Sequence, residues 1–194
     1  MSASAARSPG RPRSTEADAA IVQATLEVLM TEGFRGLSVE AVRQRAGVGK
    51  ATIYRRFPDK EALVRAAVES VHADVTTPDT GSLMGDIEAL WAAAYERADY
   101  AMRLLADAAH HPDMHRIFRT ALVDPRRAVA RTILERGVER GELRADLDLD
   151  TVIDLIVGPV IYRLLIDGGD TSVVAARGTD PIREILVGLA PRPS

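Results

Sequence analysis

Apolar residues recur at helical spacing along almost the whole chain. From Ile21, the positions Ala24, Thr25, Val28 and Leu29 fall three and four apart until Gly33 interrupts them, which predicts a first helix near 16–32. Thr15, three residues before Asp18, resembles a capping box at its start. Ser38 is a candidate N-cap for a short second helix with Val42 and Ala46 on one face, and Gly47 suits the left-handed conformation that closes such a helix. A third short helix, about 50–56, ends because Pro58 disfavours helical geometry at Phe57. Asp59 caps a fourth, from Lys60 to about Asp74, with Leu63, Ala67 and Val71 as its buried stripe. Past the polar stretch TTPDTGS, further helical patterns cover about 82–97, 100–110, 112–122, 125–140, 149–167 and 181–189. No stretch alternates apolar and polar residues as a half-buried strand does, so the predicted class is all-α.

The charge sharpens this picture. The chain of 194 residues carries a net charge of −3, but residues 1–60 hold ten Lys or Arg against six Asp or Glu, net +4, leaving fifteen against twenty-two, net −7. Both lysines, Lys50 and Lys60, lie in the basic part. A basic head on an acidic body suits a protein that presents one end to phosphates. With no cysteine, disulfides, thiolate metal sites and a cysteine nucleophile are excluded. No signal-peptide pattern and no apolar run of roughly 20 residues is present, so the expectation is a soluble, cytoplasmic protein with no membrane partner.

Gly49-Lys50 poses a choice between a nucleotide's phosphates and those of a nucleic acid. A nucleotide-binding loop requires a glycine five positions before Gly49 and a hydroxyl after Lys50, between a strand and a helix. Here those positions hold Gln44 and Ala51, and an amphipathic helix precedes the loop. The alternative is two short helices joined by a tight glycine turn. At about 100° per residue, Ile53 and Phe57 lie together on the inner side of the third helix, and Ala51 and Arg55 fall nearly opposite. Lys50 and Tyr54 occupy one flank, Thr52 and Arg56 the other. A helix seated in a major groove has this layout, with the outer stripe toward base edges and the flanks toward phosphates. A solvated charged face is the alternative.

These residues carry a resemblance. GLSVEAVRQRAGVGKATIYRRFPDKEALVRAAV, within Ile21 to Val68, resembles the DNA-binding domain of the tetracycline-repressor (TetR) family of bacterial transcription regulators. RGELRADLDLDTVIDLIVGPVIYRLLIDG is similar to the C-terminal regulatory domain of one subgroup of it. The resemblance implies a non-enzymatic repressor that binds a pseudo-palindromic operator on double-stranded DNA as a homodimer and is released by a small apolar effector, without a cofactor. It implies that Lys50, Ala51 and Arg55 face bases and that Ser38, Thr52, Tyr54, Arg56 and Lys60 hold phosphates. Glu40 departs from the pattern, being awkward beside phosphate, although it favours the helix dipole. The expected domains are a disordered basic arm over 1–15, a three-helix helix-turn-helix DNA-binding domain over 16–60, and a larger helical ligand-binding and dimerisation domain over 61–194, with about nine helices in all.

Within the arm, Gly10-Arg11-Pro12, flanked by Arg7 and Arg13, resembles the core of an AT-hook, in which extended arginines enter a narrow minor groove. A solvated tail is the alternative. In the larger domain, His111 and His115 stand four apart as zinc ligands do, but Pro112 starts a helix and leaves His111 outside it. Asp146, Asp148 and Asp150 have calcium-loop spacing, yet Thr151 holds the glycine position and Val157 the closing glutamate position, so they read as a turn and caps, and no metal is expected. No serine sits in a nucleophile elbow. Leu83, Ile87, Leu90, Trp91, Ala94, Tyr95, Met102 and Leu105 are candidates to line an effector pocket, although an apolar stripe with one Trp is more often core. Leu155, Ile156, Val160, Leu164, Leu165, Ile182, Ile185, Leu186 and Leu189 are candidates for a dimer interface, with Gly158 permitting close helix approach and Pro159 predicting a kink; an internal core is the alternative. A DNA-binding regulator with no small-molecule effector remains a second reading, and an enzyme a remote one.

Overall fold

The computed structural model describes residues 13–72, 76–95, 97–166, 172 and 177–191. Every regular element among them is helical: α1 (Arg13–Gly36), α2 (Val39–Ala46), α3 (Lys50–Arg56), α4 (Lys60–Ser70), α5 (Leu83–Tyr95), α6 (Ala98–Ala108), α7 (Pro112–Phe118), α8 (Asp124–Glu139), α9 (Leu149–Ile166) and α10 (Asp180–Leu189). None of the described helices is long and apolar enough to cross a membrane. The chain forms two compact units, Met1–Ala67 and Val68–Ser194.

In the first unit α1 packs on α2 and α2 on α3. Ile21, Val28, Leu29, Val42, Ile53 and Leu63 are almost fully buried, so one apolar face of each helix meets a shared core. α1 starts at Arg13, ahead of the expected cap at Thr15, and its helical geometry breaks at Gly33, where φ is 71° and ψ 178°. Ser38 caps α2, its Oγ accepting the Ala41 amide at 3.1 Å. Gly47 closes it in the left-handed region, at φ 65°, with its N–H on the Arg43 carbonyl. Gly49 sits at an ordinary φ of −73°, so the tight turn requires glycine at 47 and not at 49.

In the second unit α5, α8, α9 and α10 surround a core of Leu83, Ile87, Ile133, Leu134, Val152, Ile153, Ile182 and Leu186. The segments expected as separate helices near 112–122 and 125–140 are joined by a π-helical turn, Arg119–Val123. There the Asp124 amide reaches back five residues to the Arg119 carbonyl, and Pro125, which has no N–H to give, follows at the start of α8. α9 stays helical through Pro159.

One ionic network ties this unit together. Asp86 on α5 is fully buried and accepts the Thr80 amide at 2.6 Å, the Thr80 hydroxyl at 2.8 Å and Arg140 Nη1 at 3.3 Å, with Arg136 Nη2 at 3.8 Å. Burial alone would raise the Asp86 carboxyl, but these hydrogen bonds and the Arg136 charge outweigh it and hold the group below the usual carboxylate range. Glu142 accepts the Leu83 amide at 2.9 Å, placing a second carboxylate at the positive end of α5.

Candidate nucleic-acid interface and apolar cavity

α3 presents the two faces that its spacing requires. Ile53 is fully buried, while Ala51, Tyr54 and Arg55 are exposed and Thr52, Arg56 and Phe57 half-buried. The cations of the first unit differ sharply in what they are doing. Arg43 grips Glu40 through Nε and Nη2, Arg45 pairs with Glu32 at 3.2 Å, and Arg65 with Glu61 at 3.4 Å. Arg56 is drawn inward to Asp18 of α1 and to the Thr52 carbonyl, so it braces the inner flank of α3. Lys60 donates to the Phe34 carbonyl at 2.8 Å and lies 4.5 Å from the centre of the Phe34 ring. Burial there lowers the Lys60 pKa. One of its three donors is thereby committed, leaving two.

Lys50 and Arg55 form no ion pair with a carboxylate among the described residues; Lys50 leans over Tyr54, 5.8 Å from the ring centre, and its charge acts on Glu40 from beyond ion-pair distance. An exposed helix face carrying two unpaired cations around a small residue, Ala51, is what a phosphate-walled groove would meet. The Glu40 charge that seemed awkward there is neutralised within α2: Arg43 and Gln44 both donate to it, and the Arg43 hydrogen bonds lead in holding its pKa low. Arg7 and Arg11 of the arm lie outside the described residues, as does the side chain of Arg13.

The second unit contains a cavity of about 770 Å³, within the roughly 300–1,000 Å³ that holds drug-sized ligands. Ile87, Leu90, Trp91, Ala94, Met102 and Leu105 line it, whereas Leu83 is in the core and the Tyr95 side chain lies outside the described residues. The opposite wall comes from α9, with Ile156, Val160, Leu164 and Leu165 facing the cavity. Sequence periodicity assigned those four residues to a dimer face. Leu164, Ile182 and Leu186 are buried within the unit itself and have no side chain to offer a partner, and Ile185 and Leu189 are half-buried. The exposed large apolar residues of α9 are Leu155, Val157, Tyr162, Leu165 and Ile166, of which Val157, Tyr162 and Leu165 also line the cavity; Val187 is exposed on α10. The exposure of Val157, Tyr162 and Ile166 could not be read from the sequence, because a helix apolar on two sides carries no periodicity to separate its faces.

His111 lies outside α7, at its N-cap, and Asp148 caps α9 by accepting the Thr151 hydroxyl at 2.7 Å. Asp150 is held by Arg127 and Arg131.

Residues 21–67 match the family described as bacterial regulatory proteins, tetR family, and residues 77–179 the tetracyclin repressor-like C-terminal domain. The chain is 37% identical to the HTH-type transcriptional regulator YdeS of Bacillus subtilis, over 84% of this chain and 85% of that protein. It is 35% identical to the DNA-binding transcriptional repressor TetR of Mycobacteroides abscessus over 36% of this chain and 37% of that one. Among solved structures, the TetR family transcription regulator SCO0332 superposes with a TM-score of 0.64 at 30% identity, covering 91% of this chain and all of the other.

Proposed function

Because the chain belongs to the tetR family of bacterial regulatory proteins and is a DNA-binding transcriptional regulator, not an enzyme, we propose that it is a cytoplasmic repressor. It binds a pseudo-palindromic operator as a homodimer and lets go when a small apolar effector enters the cavity of the second unit. The observation that carries the DNA reading is the exposed face of α3, where Lys50 and Arg55 meet no carboxylate among the described residues while Arg43, Arg45, Arg56 and Arg65 are engaged with carboxylates. Lys50, Ala51 and Arg55 face bases. Ser38, Thr52, Tyr54 and the two spare donors of Lys60 take phosphates. Arg56 acts one step back, fixing α3 through Asp18. The arm arginines Arg7, Arg11 and Arg13 enter the adjacent minor groove.

Support for repression is the name of the M. abscessus relative. Support for the dimer is the apolar stripe of α9, which no described element of the same unit covers, with Gly158 open enough for a second helix to approach closely. Two heads about 34–36 Å apart would meet successive major grooves. An effector shifts this equilibrium only through a higher affinity for the state that cannot bind DNA. The test is binding of the purified chain to its selected duplex, followed by challenge with small apolar molecules. Release with retained dimer mass supports the whole scheme. Binding that no molecule relieves favours the regulator without an effector. Ile166→Asp, at an exposed position of α9 outside the cavity lining, should convert the dimer to monomer in sedimentation; an unchanged mass removes α9 from the interface.

A further inference from the structure

The cavity of the second unit has a closed floor and an open side. Ile133, Leu134 and Ile153, each no more than 2% exposed, form the floor. Along α9 the lining changes character: Val157, Tyr162 and Leu165 face the cavity and yet are 43%, 65% and 62% exposed. A side chain can be both only where the wall meets the molecular surface, so the mouth of the cavity runs along α9. An apolar molecule seated there would keep part of its own surface against water on that side and forgo the gain that burial gives it.

What surrounds the mouth limits what can cover it. From Leu155 to Ile166 the one charged residue is Arg163, which is half-buried, and every exposed position is apolar or glycine. Leu155, Pro159 and Ile166 carry that surface beyond the cavity lining, and Val187 of α10, the helix packed on α9, is exposed as well. Gly158 lies at the mouth, and a Cβ built there would meet nothing within 4 Å, so a second helix can come close. A polar or charged partner would strand its own groups against this face. A second copy brings the same uncharged face, and a two-fold axis beside α9 sets each on the other. Resting on the reading of the cavity as the effector site and of α9 as the dimer face, we propose that the site is shared: α9 of a second copy closes the mouth, and the ligand lies enclosed between two protomers. The site of a single chain is incomplete. Ligand and dimer are then linked, so each bound ligand tightens the dimer by the factor by which dimerisation tightens the ligand. Release from DNA proceeds with the dimer strengthened, not split.

The full chain tests this with two uncharged probes, N-phenyl-1-naphthylamine and Nile red, whose emission rises in apolar surroundings. Trp91, the single tryptophan, lies in the cavity wall and reports occupancy independently. Dilution of the wild type through dimer dissociation, followed by sedimentation, should weaken binding of at least one probe by at least about tenfold. The saturating probe should hold the dimer together at dilutions where the free protein separates. Ile166→Asp, a change at an exposed residue outside the lining, should give a folded monomer with the same loss of affinity. The dilution series uses the unaltered chain, so it decides the question even where the substitution disturbs α9. A monomer, diluted or substituted, that binds the probe as tightly as the wild-type dimer contradicts the shared site and leaves an effector cavity complete within one chain. A folded Ile166→Asp that stays dimeric removes α9 from the interface and the shared site with it. Failure of both probes to bind the wild-type dimer removes the effector reading as well.

Discussion

The two units treat charge in opposite ways. In the second, Asp86 is fully buried and every oxygen of its carboxylate is engaged, by Thr80, Arg136 and Arg140. On α3 of the first, Lys50 and Arg55 stand in solvent with no carboxylate partner among the described residues. A buried ion left without a partner costs several kcal/mol, so a charge that serves the fold must be matched inside it. An exposed cation costs almost nothing to leave unmatched, and only an unmatched one can neutralise an external phosphate or hold a guanine edge. The contrast separates charges matched inside the fold from charges left open to a partner.

The contrast breaks most visibly at Asp86. Asp86→Asn should cost about 3 kcal/mol of stability, because it removes the buried carboxylate that Thr80 and Arg140 donate to, leaving Arg136 and Arg140 with Asp79 alone as a close carboxylate partner, and chemical denaturation would show it. The pH dependence has a fixed sign. Since the folded Asp86 pKa is depressed, its contribution is complete above the unfolded value of about 3.9 and is lost as the pH falls through the lower folded value. The variant should therefore lose less stability than the wild type on acidification through that window. An equal acid loss would mean that Asp86 does not drive it.

Arg55→Ala reverses the pattern. Stability should change by no more than about 0.5 kcal/mol, while affinity for the selected duplex falls by about 1–3 kcal/mol. A comparable loss of thermal stability would place Arg55 among the structural charges.

Between these stands the turn. Gly47→Ala should destabilise the first unit by about 1–2 kcal/mol, because only glycine occupies its left-handed conformation without strain. Gly49→Ala, at an ordinary φ with Thr52 Oγ1 as its nearest neighbour at 3.9 Å, should leave the melting temperature unchanged. The smallest effect belongs to Lys60→Ala, which should weaken specific and random DNA alike and flatten the salt slope by about one. A loss confined to the selected duplex would make Lys60 a base contact.

Much of the head was legible because its signals are local. Ile53 and Arg55 fall on opposite faces of α3 by helical geometry alone, and Gly47 marks its turn by residue type. Lys60 was less legible, since what binds it, the Phe34 carbonyl and ring, lies 26 residues away. In the second unit, the cavity wall of α5 and α6 followed from apolar spacing, but α9 is apolar toward the core and toward solvent at once. Periodicity there cannot choose a side, which is why Leu164 was assigned to a surface and Tyr162 passed over. The ion pairs of Arg127 give no sequence signal at all: nothing in DPRRAVAR marks it out, and only the positions of Asp150 and Asp154 on α9 do so.

Selection of bound duplexes from a random pool, run in parallel with the wild type and Arg55→Ala, tests the assignment of α3 most directly. The wild type should enrich a pseudo-palindrome whose half-site centres are about 10 base pairs apart, and Arg55→Ala the same motif made degenerate at one symmetric pair of positions. Enrichment of an identical motif by both proteins would contradict the claim that the unpaired face of α3 reads the operator.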